Sequence, residues 1–348
     1  MAKKATLKEV AQLAGVSAQT VSRVVNQSAD VAVHTRERVQ QFINELDYQT
    51  NPIARSLITR HSQTLCVVAT GLEYYGPAIM LVGIQQEAES QGYSLNLYLI
   101  DAPEQENARG LLNELAGRQM EGIIWAIPPI GQNRAIFENH HLRHFPPVIF
   151  LNQPASFSSV VSIDNRAGAE LAVSHLIDQG YRTIGLISGP LNWAEAVQRK
   201  QGWQNALNSH GLNPDPALCM AGDWTTPSGE IAFKRLLDLN STLDAVFVSN
   251  DQMALAILKY AYAQGINIPA DLGVVGFDGI PESAFFIPSL TTIRQPLKEL
   301  GATAVREMVT MIRMQSEGKT EYEPKIITLQ PRLIVRDSSL KISKTNQV

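Results

Sequence analysis

Two cysteines in 348 residues, Cys66 and Cys219, leave no material for a disulfide framework, and their separation has none of the spacing of a metal clamp. Such usage fits a reducing compartment. No apolar stretch approaches the roughly 20 residues that cross a bilayer, and Lys3 and Lys4 are followed by no apolar run of the secretory kind. We therefore expect a soluble, unexported, cytoplasmic protein with no membrane partner, in which the sequons at Asn26 and Asn240 carry no meaning. Enzyme signatures are missing too. There is no G-x-S-x-G nucleophile elbow. Gly318-Lys319-Thr320 has the ending of a phosphate loop, but Arg313 occupies the place of its first glycine and the pattern before it is helical. His140 and His144 lie one turn apart beside His141, without carboxylate or cysteine support in the spacing of a metal set. No cofactor, metal or catalytic residue is expected.

What the chain does have is size and an uneven charge. With 45% apolar and 18% charged residues it can bury a sizeable core, and its length exceeds one ordinary domain. The net charge of -4 divides: residues 1–60 hold eight Lys/Arg against five Asp/Glu, giving +3, so the remainder carries -7. A basic tip on an acidic body confines attraction for phosphate to one end.

Within the tip, Thr6 to Asn26 reads TLKEVAQLAGVSAQTVSRVVN. Thr6 and Glu9 have capping-box spacing, Val10, Leu13 and Ala14 repeat on one face, and Gly15 ends a first helix. Ser17 then caps a second helix, Ala18 to Asn26, with Val21, Val24 and Val25 inward. Its outer face carries Ala18, Gln19, Ser22, Arg23 and Asn26. Small residues at its start permit close approach to a major groove, Gln19 has the two-pronged chemistry that matches adenine, and Thr20, Ser22 and Arg23 can hold bases or phosphates. Periodicity by itself leaves open an ordinary helical hairpin with a polar outer face.

The wording V-S-x-x-T-V-S-R-V-[VL]-N after L-K-E-V-A resembles the headpiece of the lactose-repressor/galactose-repressor family of bacterial transcription regulators. The resemblance implies DNA contacts from Thr6, Ser17, Ala18, Gln19, Thr20, Ser22, Arg23 and Asn26. A third helix, Thr35 to Leu46, closes the head with Val39, Phe42, Ile43 and Leu46. At its start Ala32 replaces the capping serine of many members, a loss of about 1 kcal/mol. YQTNPIARSLITR, residues 48–60, is similar to the family's hinge, although Thr50 stands before Asn51 where relatives often have proline. Asn51 is a good cap and Pro52 suits the first helical position. So short a helix is unstable alone, and we expect it to order when two copies meet on DNA. The resemblance places Asn51, Ala54 and Leu57 at the minor groove, Leu57 as a wedge between base pairs. The alternative role of Leu57 is a buried linker leucine.

From Thr64 onward β-rich runs alternate with helical ones: strands at 64–69, 94–100, 122–127, 148–152, 158–164, 183–188, 217–223, 245–251 and 272–278, with helices between them, one of these near 132–142. Alternation of this kind predicts parallel sheets with crossover helices, and the strands are too many for one sheet. A last helix spans Leu297 to Met314, followed by KIITLQPRLIVRDS. The fold class expected is thus an all-α three-helix headpiece plus an α/β two-lobed core similar to periplasmic binding proteins. The boundaries are 1–50 for the headpiece, 51–62 for the hinge and 63–338 for the core, with 339–348 as a polar, frayed tail. Within the core the N-lobe takes 63–162 and 293–321 and the C-lobe 163–292 and 322–338, so that the chain crosses near 162, 292 and 322. The tail has no leucine heptad, and a homodimer is expected.

Ligands in such sheets bind beyond the carboxyl ends of the strands, where Thr70, Asn152, Asp164, Asn250, Asp251 and Asp278 fall. Body motifs also resemble the family: GPL at 189–191, RKQGW at 199–203, GDW at 222–224, SNDQMAL at 249–255 and IPSLTTIRQ at 287–295. From them Arg199, Asn250 and Asp278 form a set able to hold neighbouring sugar hydroxyls, with Trp224 stacking on a pyranose face. Tyr75, Pro77, Asn152, Asp164, Trp193 and Gln295 complete the candidate lining. The structural alternatives are Asp278 capping a turn, Arg199 pairing with a surface acid and Trp224 lying in the core. Asn152 and Trp193 depart from the lactose-repressor type, which has an aspartate and a small hydroxyl residue there. A second aromatic favours a disaccharide or an aryl or alkyl glycoside, a β-galactoside or β-glucoside.

The expectation is an allosteric, sequence-specific regulator of sugar utilisation, a repressor released from a pseudo-palindromic double-stranded operator when a sugar closes the lobes. A corepressor or activator of opposite sign remains open. A sugar-transport binding protein fits the body but not the DNA-reading head.

Overall fold

The computed structural model describes residues 5–25, 28, 30–48, 61–133, 145–152, 158–318 and 322–341. It divides into two compact units between Gln63 and Thr64. The expected minor-groove residues Asn51, Ala54 and Leu57, the hinge up to residue 60, Asn26, and the 134–142 part of a predicted helix lie outside the described residues.

The first unit is built from local signals. Helix α1 (Leu7–Ala14) opens on the capping box: Glu9 N–H donates to Thr6 Oγ1 at 3.3 Å, and Thr6 N–H donates to the Glu9 carboxylate at 2.7 Å. Gly15 closes it in the left-handed region at φ 63°, which side chains resist, and its N–H returns to the carbonyls of Ala11 and Gln12. Helix α2 (Ala18–Val25) begins where Ser17 Oγ accepts from Thr20 N–H at 3.1 Å. Helix α3 (Val33–Glu45) follows Ala32, which makes no side-chain cap bond. Val10, Ala11, Ala14, Val21, Val24 and Val39 form the core, with Phe42, Ile43 and Leu46 against it. Leu13 differs from expectation and is 52% exposed. The inward stripe runs through Leu7, Val10, Ala11 and Ala14, at i, i+3, i+4 and i+7, and turns Leu13 away.

The second unit contains two six-stranded sheets of matching strand order. The first has the order β11-β5-β4-β3-β1-β2, where β1 is Thr64–Ala69, β2 Ser94–Leu99, β3 Gly122–Ala126, β4 Val148–Leu151, β5 Ser159–Ile163 and β11 Ile326–Leu329. All its pairings are parallel. Its central strands are unbroken apolar runs because helices cover both faces. Helices α4 (Tyr75–Ser90) and α10 (Leu297–Ser316) pack one cluster with Met80, Ile84, Leu300 and Met308, while α5 (Ala108–Gly117) packs a second with Leu111, Leu112 and Leu115.

The second sheet has the order β12-β10-β9-β8-β6-β7, where β6 is Ile184–Ser188, β7 Cys219–Ala221, β8 Ala245–Val248, β9 Gly273–Asp278, β10 Thr291–Arg294 and β12 Arg332–Ile334. Helix α6 (Asn165–Asp178) packs on α7 (Ala194–Ser209), and α8 (Thr226–Leu239) on α9 (Asp251–Gln264). Their common core includes Trp203, Phe233, Phe247 and Phe277.

Three expectations need correction. Thr291–Arg294 is a strand of the second sheet, so the second crossing follows Arg294 rather than residue 292. Ile326–Leu329 pairs with β5, so the third crossing lies at Gln330 and Pro331 rather than near 322. Because β11 runs towards the carboxyl ends of the first sheet, the chain enters the second sheet from that same side, and β12 pairs antiparallel with β10. The tail is also not frayed at its start. Ser339 is fully buried, its hydroxyl 2.7 Å from His175 Nε2 and 2.7 Å from Thr291 Oγ1, and the Lys341 ammonium lies 4.5 Å from the Tyr181 ring centre. A hydroxyl that finds two partners can be buried where an unpaired one cannot.

Candidate functional site

In each sheet the strand order reverses once, between β1 and β3 in the first and between β6 and β8 in the second. Crevices open at the carboxyl ends of the strands at such switch points. Here the two crevices form one cleft of about 790 Å³, part of it open to solvent. Thr70, Tyr74, Pro77 and Asn152 line it from the first lobe; Trp193, Glu195, Arg199, Trp224, Asn250, Gln252 and Asp278 line it from the second; Gln295 lies on the crossing segment.

Arg199, on α7, is 5% exposed. Its Nε donates to Asn165 Oδ1 at 2.8 Å, one terminal nitrogen donates to the Ser249 carbonyl, and the same nitrogen lies 3.8 Å from Asp278 Oδ1. The guanidinium carbon sits 3.8 Å from the centre of the Phe277 ring and 5.5 Å from that of Trp224. The surface-acid alternative for Arg199 is therefore excluded by its burial. Asp278 Oδ1 also accepts from Gln295 Nε2 at 2.6 Å, which ties the crossing segment to the second lobe. Burial pushes the Asp278 carboxyl up to about 6, against the lowering influence of Arg199 and then Gln295. Beneath it Asp251, fully buried, is pushed up to about 8 by burial and by the charge of Asp278. Asp251 accepts from Thr292 Oγ1 at 2.6 Å and from Ile280 N–H at 2.9 Å, fixing the loop that follows Asp278.

The two tryptophans meet edge to face, with ring centres 6.2 Å apart and planes at 70°. Trp224 belongs to the core and lines the cleft at once: it is 8% exposed, and its Nε1 is buried without a hydrogen-bond partner. A Cβ on Gly189 would lie 2.2 Å from this indole, so only glycine lets the ring close on that strand end. Asn152, Trp224 and Asp278 all hold positive φ, at 55°, 75° and 108°. Non-glycine residues rarely accept this, and such strain gathers at binding sites.

Several candidates have their polar atoms committed to the protein. Asn250 caps α9 by accepting from Met253 N–H at 2.9 Å and donates to the Trp224 carbonyl at 2.9 Å, so it positions the indole as well as lining the cleft. Asn152 Oδ1 accepts from Ile163 N–H at 3.1 Å, and its side chain faces Glu195 across the cleft, where it moderates the rise that burial imposes on that carboxyl. Asp164 is not among the lining residues; it caps α6 through Ala167 N–H at 2.9 Å. The lining aromatic after β1 is Tyr74 rather than Tyr75, which packs on the first lobe's core.

On the first unit, the exposed outer face of α2 presents Ala18, Gln19 and Arg23, with Ser22 half-buried. The Ser17 and Thr20 hydroxyls are 2.9 Å apart at its start. This is a polar, partly basic helix face standing on a three-helix core. Residues 6–51 match the model of the bacterial regulatory proteins, lacI family, and residues 173–339 match the periplasmic binding protein-like domain. The lactose operon repressor of Escherichia coli (strain K12) is 30% identical over 356 residues, covering 98% of this chain and 97% of that protein. This chain belongs to the lacI family.

The HTH-type transcriptional repressor PurR of Aliivibrio salmonicida (strain LFI1238) is similarly related, 31% identical over 341 residues covering 97% of this chain and all of that protein. Among solved structures, the lac repressor dimer bound to operator and the anti-inducer ONPF superposes with a TM-score of 0.83 at 30% identity, covering 97% of this chain and 100% of that one. The transcriptional regulator CelR in complex with cellobiose gives 0.70 at 30% identity, covering 96% and 99%. This lacI-family member is accordingly a DNA-binding transcription regulator with a ligand-binding body, and not an enzyme. Among the described residues, no helix is long and apolar enough to cross a membrane.

Sequence reasoning missed Tyr74, Glu195 and Gln252. Glu195 Oε2 and Gln252 Oε1 are buried in the cleft with no hydrogen-bond partner. A glutamate in a first helical turn is unremarkable by itself. Its neighbour Trp193, already a candidate, was the available signal.

Proposed function

We propose that this lacI-family member is a cytoplasmic homodimeric repressor of sugar-utilisation genes, released from a pseudo-palindromic operator by a β-galactoside or β-glucoside. Ala18, Gln19, Ser22 and Arg23 read bases in two successive major grooves, while Ser17, Thr20 and Thr6 hold the backbone. Asn26 keeps its place on the DNA-facing side of the second helix, and Asn51, Ala54 and Leu57 keep the minor-groove and hinge roles implied by the family. The observation that carries the sugar reading is the buried Arg199–Asp278 pair beside two crossed indoles at the joined switch points of both sheets. Planar charged donors and acceptors bind adjacent hydroxyls, and an aromatic wall accepts the C–H face of a pyranose. The lactose operon repressor and the cellobiose complex of CelR are relatives whose names fit this chemistry.

Release requires that the sugar prefer the conformer with weak operator affinity; a ligand preferring the other conformer is a corepressor. Sugar across the cleft draws the lobes together, and the paired hinge segments lose their order. Calorimetry with a panel of small β-glycosides and one nucleobase, followed by gel shift on promoter DNA, tests the reading. A glycoside should bind and weaken the shift. Asp278→Ala should retain the shift and lose the response to sugar. Binding of the nucleobase alone, or an unchanged response in Asp278→Ala, contradicts the assignment.

A further inference from the structure

The cleft has an acceptor that its own residues leave idle. Glu195 lies in the first turn of α7, where burial raises its carboxyl against the lowering influence of its own N–H, of Arg199 and of the Asn152 side chain of the opposite lobe. Its Oε2 is buried and unpartnered. Gln252 Oε1 is in the same state, and Trp224 Nε1 is an idle donor beside them. Buried polar atoms are as a rule satisfied, and unsatisfied ones at a ligand cleft mark where a ligand supplies the partner.

Charge narrows the class of that ligand. Among the described residues lining the cleft, Arg199 is the sole cation, set against two acids, Glu195 and Asp278. Two of its three guanidinium nitrogens are committed, Nε to Asn165 and one terminal nitrogen to the Ser249 carbonyl with Asp278 3.8 Å away, which leaves the other terminal nitrogen for a ligand hydroxyl. Burial raises both acids, and the one guanidinium charge is shared between them, so a phosphoryl or carboxylate group entering this poorly solvated space would lose its hydration with no cation of its own.

Resting on the reading of the cleft as a sugar site, we propose that Glu195 is a specificity-determining residue that accepts hydroxyl hydrogen bonds from the effector and excludes anionic sugars, so the effector is an unphosphorylated glycoside. Asn152 positions Glu195 from the other lobe. The carboxylate thereby reports ligand hydroxyls to both halves of the cleft.

The experiment is calorimetry on the full chain with β-glucosides and β-galactosides, each paired with its 6-phosphate. Wild type should bind a neutral glycoside at least tenfold tighter than its phosphate. Glu195→Gln keeps the size and one acceptor oxygen; it should lose at least tenfold for the neutral sugar and narrow the discrimination. Glu195→Asp, which restores the carboxyl group, should recover the rejection of phosphate. Wild type binding a sugar phosphate more tightly than the free sugar, or Glu195→Gln matching wild type on both, overturns the proposal while leaving the sugar reading intact. Binding of neither kind by folded protein overturns the sugar reading itself, and this inference with it.

Discussion

Asp251 and Gly189 show how single residues hold the cleft. The Asp251 carboxyl is pushed up to about 8 by burial, so in the native protein it keeps a proton that the unfolded chain releases near the ordinary carboxylate value. Stability therefore falls as pH rises between those two values, by at most about 1.4 kcal/mol per pH unit for one group. Burial lowers His175, which gives the opposite slope below its ordinary value of 6.5. The test window is therefore pH 6.5 to 8, where the urea midpoint should fall in wild type and stay flatter in Asp251→Asn. At Gly189, a methyl group would strike the Trp224 indole. Gly189→Ala should destabilise the body by about 1–3 kcal/mol, the usual cost of overpacking, and weaken sugar binding more than tenfold. Thermal melting and calorimetry read the two effects. Arg199, Asp278 and Trp224 were legible in the sequence because charged and indole side chains in family-like motifs stand out. Glu195 and Gln252 were not, since a polar residue in a first helical turn looks the same whether it meets solvent or a cleft. Asp164 and Tyr75 were misplaced for a related reason: a strand end names a neighbourhood, and one residue of rotation decides what faces the cleft.

Elements were read more reliably than residues. Helices α1 and α2 follow from two caps and one glycine, and the parallel strands follow from apolar runs between helical stretches. The errors fell where the chain changes lobe. Residues 325–338 look like one continuous β-rich segment, yet Pro331 separates two strands that serve different sheets. Nothing local distinguishes those partners, because sheet membership is set by distant strands. The head gives a prediction at this scale. Ala32 leaves the start of α3 uncapped, at φ -56° and ψ 142°. Ala32→Ser should stabilise the head by about 1 kcal/mol, and Thr6→Ala should cost a similar amount by removing the capping box. Denaturation followed by circular dichroism checks both changes.

For the whole molecule, the division of charge and the division of labour coincide. The head carries a net +3 and the rest of the chain -7, so attraction for phosphate is confined to one end. Coupling between them demands that sugar distinguish two conformers of the body; a ligand that bound both equally would shift nothing, however tightly it bound. The direct measurement is operator affinity of the full chain, by fluorescence anisotropy, across a titration of the glycoside that calorimetry identifies. Affinity should fall by at least tenfold as the cleft fills, with the midpoint following sugar occupancy. Operator affinity unchanged at full occupancy would contradict that coupling.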